Sequence, residues 1–130
     1  MLSRAFGWMA VFACLSAAAQ SGAPRALDAA QIRATVSGKH VTDDRHWGHH
    51  YLADGRLLMH ESGRERQGRW SVQHDQLCLL KPQVSKTEPI CHGVQIQAGQ
   101  VRYVEGEKVV YQGFVRGPTN ARLFDSGRKR

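Results

Sequence analysis

The side chains most capable of chemistry in this 130-residue chain are its seven histidines, and three of them fall within five positions in His46-Trp47-Gly48-His49-His50. Such density suggests a metal or haem site. A metal site needs ligands converging within about 2 to 2.5 Å of one ion. If residues 46–53 form a strand, Trp47, His49 and Tyr51 point to one side and His46 and His50 to the other. His46 and His50 are then roughly 13 Å apart, too far for one ion unless Gly48 makes a bulge. A cross-strand partner such as His40 or His60 would be the other way to complete a pair. The haem-attachment pattern C-x-x-C-H is absent. The spacing therefore predicts a decorated strand, with His49 among apolar neighbours and His46 and His50 in solvent. No metal centre and no other cofactor is expected.

Other catalytic constellations are weaker. No G-x-S-x-G fixes a serine nucleophile. Glu61 and Glu65 have the composition of an acid/base pair, but they flank Ser62-Gly63 among Arg64, Arg66 and Arg69, as at a solvated hairpin tip. Asp43-Asp44 reads as an exposed turn. Charging of the histidines below about pH 6 would raise the net charge, a response read here as incidental. No catalytic residue is identified, and the chain reads as non-enzymatic.

The elements that must position these residues begin with a leader. Arg4, an apolar run from Ala5 to Leu15 and the small residues Ala17-Ala18-Ala19 have the pattern of a secretory signal peptide, cleaved near Ala19. A membrane span needs roughly 20 apolar residues, so no transmembrane span is expected. Val11-Phe12-Ala13-Cys14 approximates a bacterial lipobox, but the bulky Phe12 argues against a lipid anchor at Cys14. Loss of residues 1–19 leaves Cys78 and Cys91, an even count in an oxidising compartment, which reads as a disulfide. The formal charge of +7 suggests a nucleic-acid or membrane surface. Its distribution does not: a tail over residues 117–130 carries +3 of it, and such ends are commonly frayed. With a periplasmic or secreted location, nucleic acid is excluded as a partner.

Between leader and tail, residues 20–116 read as one domain. Asp28 can cap a short helix near 28–36, with Gln31 completing a capping box and Leu27 and Ile32 stapling it to the body. From Gly38 onward the pattern has period two, punctuated every eight to twelve residues, which predicts an antiparallel all-β meander. Strands are expected near 39–43, 46–53, 56–62, 68–74, 76–81, 89–97, 100–105 and 108–116. Turns are expected at 53–55, 62–63, 74–75, 98–99 and 106–107. Trp70 and Val72 share a face, as do Leu77 and Leu79. Ile90, His92, Val94 and Ile96 form another row, continued by Val101, Tyr103, Val109, Tyr111 and Val115. Cys78 and Cys91 have the opposite parity. Eight such strands make a small barrel or half-barrel, closed at one end by the helix.

A helix ending in Ser37-Gly38-Lys39 leads into an aromatic strand that runs to Tyr51-Leu52-Ala53-Asp54-Gly55. Gly68-Arg69-Trp70, Leu77-Cys78-Leu79-Leu80 and Ile90-Cys91-His92-Gly93-Val94 follow. Over roughly residues 28–113 this series is similar to small exported bacterial proteins with lipocalin-like domains. The resemblance implies a β-barrel of the calycin kind and a periplasmic or surface location, and carries no activity with it. One departure matters: Gly68-x-Trp70 lies mid-chain, whereas lipocalins carry that motif near the first strand, so their ligand site does not transfer.

The expectation is a non-enzymatic envelope protein whose lipocalin-like barrel binds a small apolar ligand or a protein partner. Trp47, Tyr51, Trp70, Tyr103 and Tyr111 are the candidate ligand wall, or else ordinary core. The alternative is an interaction protein, such as an inhibitor of a secreted hydrolase or an accessory subunit of an envelope complex. Its contact would be Arg64-Glu65-Arg66 or the 82–88 connection.

Overall fold

The computed structural model describes residues 22–119. The expected leader, with Cys14 and Ala19, lies outside them, as does the basic tail from residue 120. A two-residue strand β1 (Arg25–Ala26) leads into helix α1 (Ala29–Val36). Eight strands follow: β2 (Lys39–Thr42), β3 (Trp47–Tyr51), β4 (Arg56–Glu61), β5 (Arg64–Gln73), β6 (Gln76–Leu80), β7 (Ile90–Gln97), β8 (Gln100–Glu105) and β9 (Lys108–Pro118). Each of β2 to β8 pairs antiparallel with its successor. β9 returns to β2, placing Val41 opposite Val115, so the meander closes into an eight-stranded barrel rather than a half-barrel. Closure removes the free edges that an open sheet of this size would expose. No helix among the described residues is long and apolar enough to cross a membrane.

Turn chemistry sets the register. Ser62-Gly63, His74-Asp75 and Ala98-Gly99 are two-residue links with positive φ at both positions, the geometry whose twist matches that of the flanking strands. The Ser62-Gly63 link is so tight that β5 begins at Arg64, four residues before the expected boundary. β9 likewise runs on to Pro118, because Lys39 in β2 offers it a partner there. β1 is absent from the sequence reading. At two residues it leaves no periodic signal, and it is held by pairing Arg25 and Ala26 with Ile96 and Gln95 of β7.

The helix plugs one end. Asp28 caps it, and the reciprocal bonds of the capping box with Gln31 are both present. Asp75 in the β5–β6 turn accepts the Ala29 N–H at 2.8 Å, tying helix to barrel. Leu27, Ile32 and Val36 are buried with Val72, Leu77, Val94 and Val101. Full burial of one such aliphatic side chain contributes about 1.5–3 kcal/mol. The interior row of β9 is interrupted by a register shift: Tyr103 faces Tyr111, but Val104 faces Val109, so Val109 does not continue the Tyr111 row.

Two devices fix the middle of the barrel. Cys78 and Cys91 face each other across β6 and β7 and form a disulfide. It stands on the opposite parity from Leu77 and Leu79 and joins the strands separated by the longest link. Gly68 lets β5 and β6 approach, since a Cβ there would lie 2.2 Å from the Leu80 carbonyl oxygen. Two residues on, Trp70 donates its indole N–H to the Leu52 carbonyl at 2.7 Å.

Candidate functional site

Strand β3 sends its chemistry to both sides of the barrel wall. Trp47, His49 and Tyr51 face the lumen, while His50 faces out and His46 stands in the preceding loop. Gly48 makes no bulge; it pairs in register with Thr42 and His60. His46, His49 and His50 are therefore not brought together. His46 is exposed, and its Nδ1 lies 2.8 Å from Asp43 Oδ2. The same aspartate accepts the backbone N–H groups of Arg45, His46 and Trp47, so Asp43 builds the β2–β3 turn rather than a carboxylate site.

The lumen holds a hydrogen-bonded chain. His49 is fully buried, with Nε2 2.6 Å from Glu61 Oε1. Burial lowers its pKa despite the neighbouring carboxylate, so the ring is neutral near pH 7. A neutral ring that donates from Nε2 accepts at Nδ1. Tyr51 Oη stands 3.3 Å from that Nδ1 and 2.6 Å from Tyr103 Oη. The direction of donation is thus Tyr103 to Tyr51 to His49 to Glu61. Both phenols are wholly buried, and burial pushes the ionisation of each above the usual range.

Glu61 collects two further donors, Lys81 Nζ at 3.0 Å and Tyr111 Oη at 2.8 Å. The bond from His49, with those from Lys81 and Tyr111, outweighs burial and holds the Glu61 carboxyl down at about 2. Lys81 is buried, yet its bonds to Tyr111 and Glu61 outweigh the desolvation and raise its pKa. The solvated hairpin tip expected at Glu61 is thus corrected. Its parity with Leu57 and Met59 turns the carboxylate into the barrel, while Glu65 remains exposed. His92 lies beside this group, stacked on Tyr103 at 5.9 Å between ring centres. Its Nδ1 is 3.5 Å from Glu105 Oε1, and neither ring nitrogen has a hydrogen-bond partner among the described residues.

All five aromatics singled out from the sequence pack toward the lumen. Trp47 contacts the rings of His49, Tyr103 and Tyr111, with centres at 4.9, 5.9 and 4.9 Å. Tyr51 meets Trp70 edge-on at 5.6 Å. They fill the lumen, with charged and hydroxyl groups toward the end opposite the helix. Glu61, Lys81 and His92 escaped the sequence reading as a group. Row parity was the available signal: Lys81 continues Leu77 and Leu79, and Glu61 continues Leu57 and Met59.

The outer face carries a second constellation. His40, His50 and His60 come from β2, β3 and β4 and line a surface cavity of about 450 Å³ with Trp47, Gly48 and Gly63. His40 stacks on His50, ring centres 3.8 Å apart and planes within 7°. His50 meets His60 at 5.8 Å, and its Nδ1 is 2.7 Å from Thr119 Oγ1. Burial, followed by the neighbouring His40 and His60, lowers the His50 pKa to about 4. Burial and then His60 lower that of His40. As the rings stand, no group of three or more His, Cys, Asp or Glu side chains among the described residues is disposed to hold a metal ion. No family model, curated protein or solved structure matches this chain.

Proposed function

We propose that this chain is an exported, non-enzymatic binding protein of the lipocalin-like group found in bacterial envelopes. It engages its partner through the outside and open rim of the barrel, and does not hold an apolar ligand in the lumen. The observation that carries this reading is the filled lumen. Tyr51 and Tyr103 are both 0% exposed and bonded hydroxyl to hydroxyl. An apolar guest would strip these bonds and leave buried polar groups unsatisfied, each at a cost of about 1–3 kcal/mol.

The non-enzymatic reading has its own support. Glu61, His49 and Tyr51 follow the order carboxylate, imidazole, hydroxyl that activates nucleophiles elsewhere, but here the hydroxyl is sealed in the core and hard to ionise. Export is supported by the disulfide, a bond of oxidising compartments, together with the leader-like N-terminus. A rim contact, as in an inhibitor or accessory subunit, is favoured by Val84, 65% exposed on the 81–89 connection. Arg64 and Arg66 add to it, being exposed without an ion-pair partner among the described residues.

Titration with a fluorescent apolar probe tests the reading. Wild type should show no saturable one-to-one binding, whereas Tyr103→Ala should gain it by opening the lumen. Saturable stoichiometric binding by wild type, lost on Trp47→Ala, would overturn it.

A further inference from the structure

We propose that His40, His50 and His60 on the outer face form a binding site for a divalent first-row transition ion, Zn²⁺ or Cu²⁺, seated above Gly48. The three residues lie on neighbouring strands around one point. His40 is directly opposite His50, His60 is directly opposite Gly48, and Gly48 and His50 are successive outward positions of β3. Gly48 keeps that point open: a Cβ there would lie 2.7 Å from His40 Nε2.

The rings stand at separations that bracket shared coordination, although as placed they do not converge on one point. Two imidazoles bound at about 2.0–2.1 Å to one tetrahedral ion hold their ring centres about 5 Å apart. The observed separations, 3.8 Å for His40–His50 and 5.8 Å for His50–His60, lie on either side of that value. Shared coordination therefore requires His40 to turn off its stack and His60 to turn inward about their side-chain torsions. Thr119 supplies the outer-shell contact that metal-bound histidines usually have. Bonded to His50 Nδ1, it leaves Nε2 as the coordinating atom and fixes the ring plane.

Chemistry favours a borderline cation over a hard one. Imidazole nitrogen suits Zn²⁺ and Cu²⁺, whereas Ca²⁺ and Mg²⁺ want oxygen ligands. Asp44 and Arg116, the charged groups that bear on His40, are ion-paired with each other.

The test is a Zn²⁺ titration of the full chain, first stripped with a chelator, read by competition with a chromogenic zinc ligand and by histidine ring signals in NMR. One ion per chain should bind, with ring shifts at His40, His50 and His60. Each of His40→Gln, His50→Gln and His60→Gln should weaken binding at least about tenfold, and Thr119→Val, which keeps all three rings, by a comparable factor. Gly48→Ala should weaken it too, by displacing His40. His46→Gln and His74→Gln should leave it within about twofold, and Ca²⁺ should not compete. Binding that persists in the triple glutamine variant would assign the ion elsewhere. No Zn²⁺ binding in wild type, or equal loss in His46→Gln, would overturn the site outright. The three histidines stand on the outer face, half-buried or exposed, and unchanged melting of their glutamine variants separates lost ligation from lost folding.

Discussion

Glu61→Gln keeps the shape of the side chain at the centre of the lumenal chain and removes its charge. Lys81, 7% exposed, would then hold a buried ammonium with no counter-charge. Removing one partner of a buried ion pair costs about 3–5 kcal/mol. Water reaches 26% of the Glu61 side chain, and the glutamine oxygen still accepts, so the expected loss at neutral pH is the lower figure, about 3 kcal/mol. At roughly 4 °C per kcal/mol for a domain this size, melting should fall by about 12 °C. The pH dependence has a definite sign. The folded-state pKa of Glu61 is depressed, to about 2 from an ordinary 4.5. Its stabilisation is therefore complete above the ordinary value and lost as pH falls toward 2. Urea unfolding followed by tryptophan fluorescence, from neutral pH downward, should show wild type and Glu61→Gln converging across that window. Adding Lys81→Met should recover part of that stability, because it removes the buried ammonium that Glu61→Gln leaves without a counter-charge. A loss below about 1 kcal/mol, or no recovery in the double variant, would refute the coupling drawn between the two side chains.

Three further outcomes follow from the packing. Reduction of the Cys78–Cys91 bond, or its double serine variant, should lower unfolding stability by about 3 kcal/mol, read as a shift in the urea midpoint. Gly68→Ala places a Cβ against the Leu80 carbonyl, which has no side-chain freedom with which to yield. It should destabilise by about 3 kcal/mol in thermal melts, whereas Gly117→Ala, in open space, should be silent. Tyr103→Phe removes the 2.6 Å partner of Tyr51 and should cost about 1–2 kcal/mol in the same urea assay.

How far the fold was legible follows from which signals are local. Asp28 with Gln31 announced the helix start, because a capping box is a pattern over four residues. The two-residue turns were readable because Gly63 and Gly99 supply positive φ where a side chain is strained. Period two placed Leu77, Leu79, Val94 and Tyr103 inward. Closure was beyond reach: the pairing of β9 with β2 joins residues more than seventy positions apart, and nothing in either segment names the other. The site shows the same division. Parity separated His49 from His50. The union of His40, His50 and His60 needed the register of three strands. Glu61 was misread because its arginine-rich neighbours suggested solvent, although its place after Leu57 and Met59 pointed inward. β1 was lost because a pair of residues has no period.

The most direct test of a barrel with a filled lumen and an external binding face is native mass spectrometry of the full chain after export to a bacterial periplasm. The native ion should carry no apolar small molecule, and the denatured chain should be lighter by the two hydrogens of the Cys78–Cys91 bond. A stoichiometric apolar adduct on the native protein, released on denaturation, would contradict the account and return Tyr51, Tyr103 and Trp47 to the role of a ligand wall.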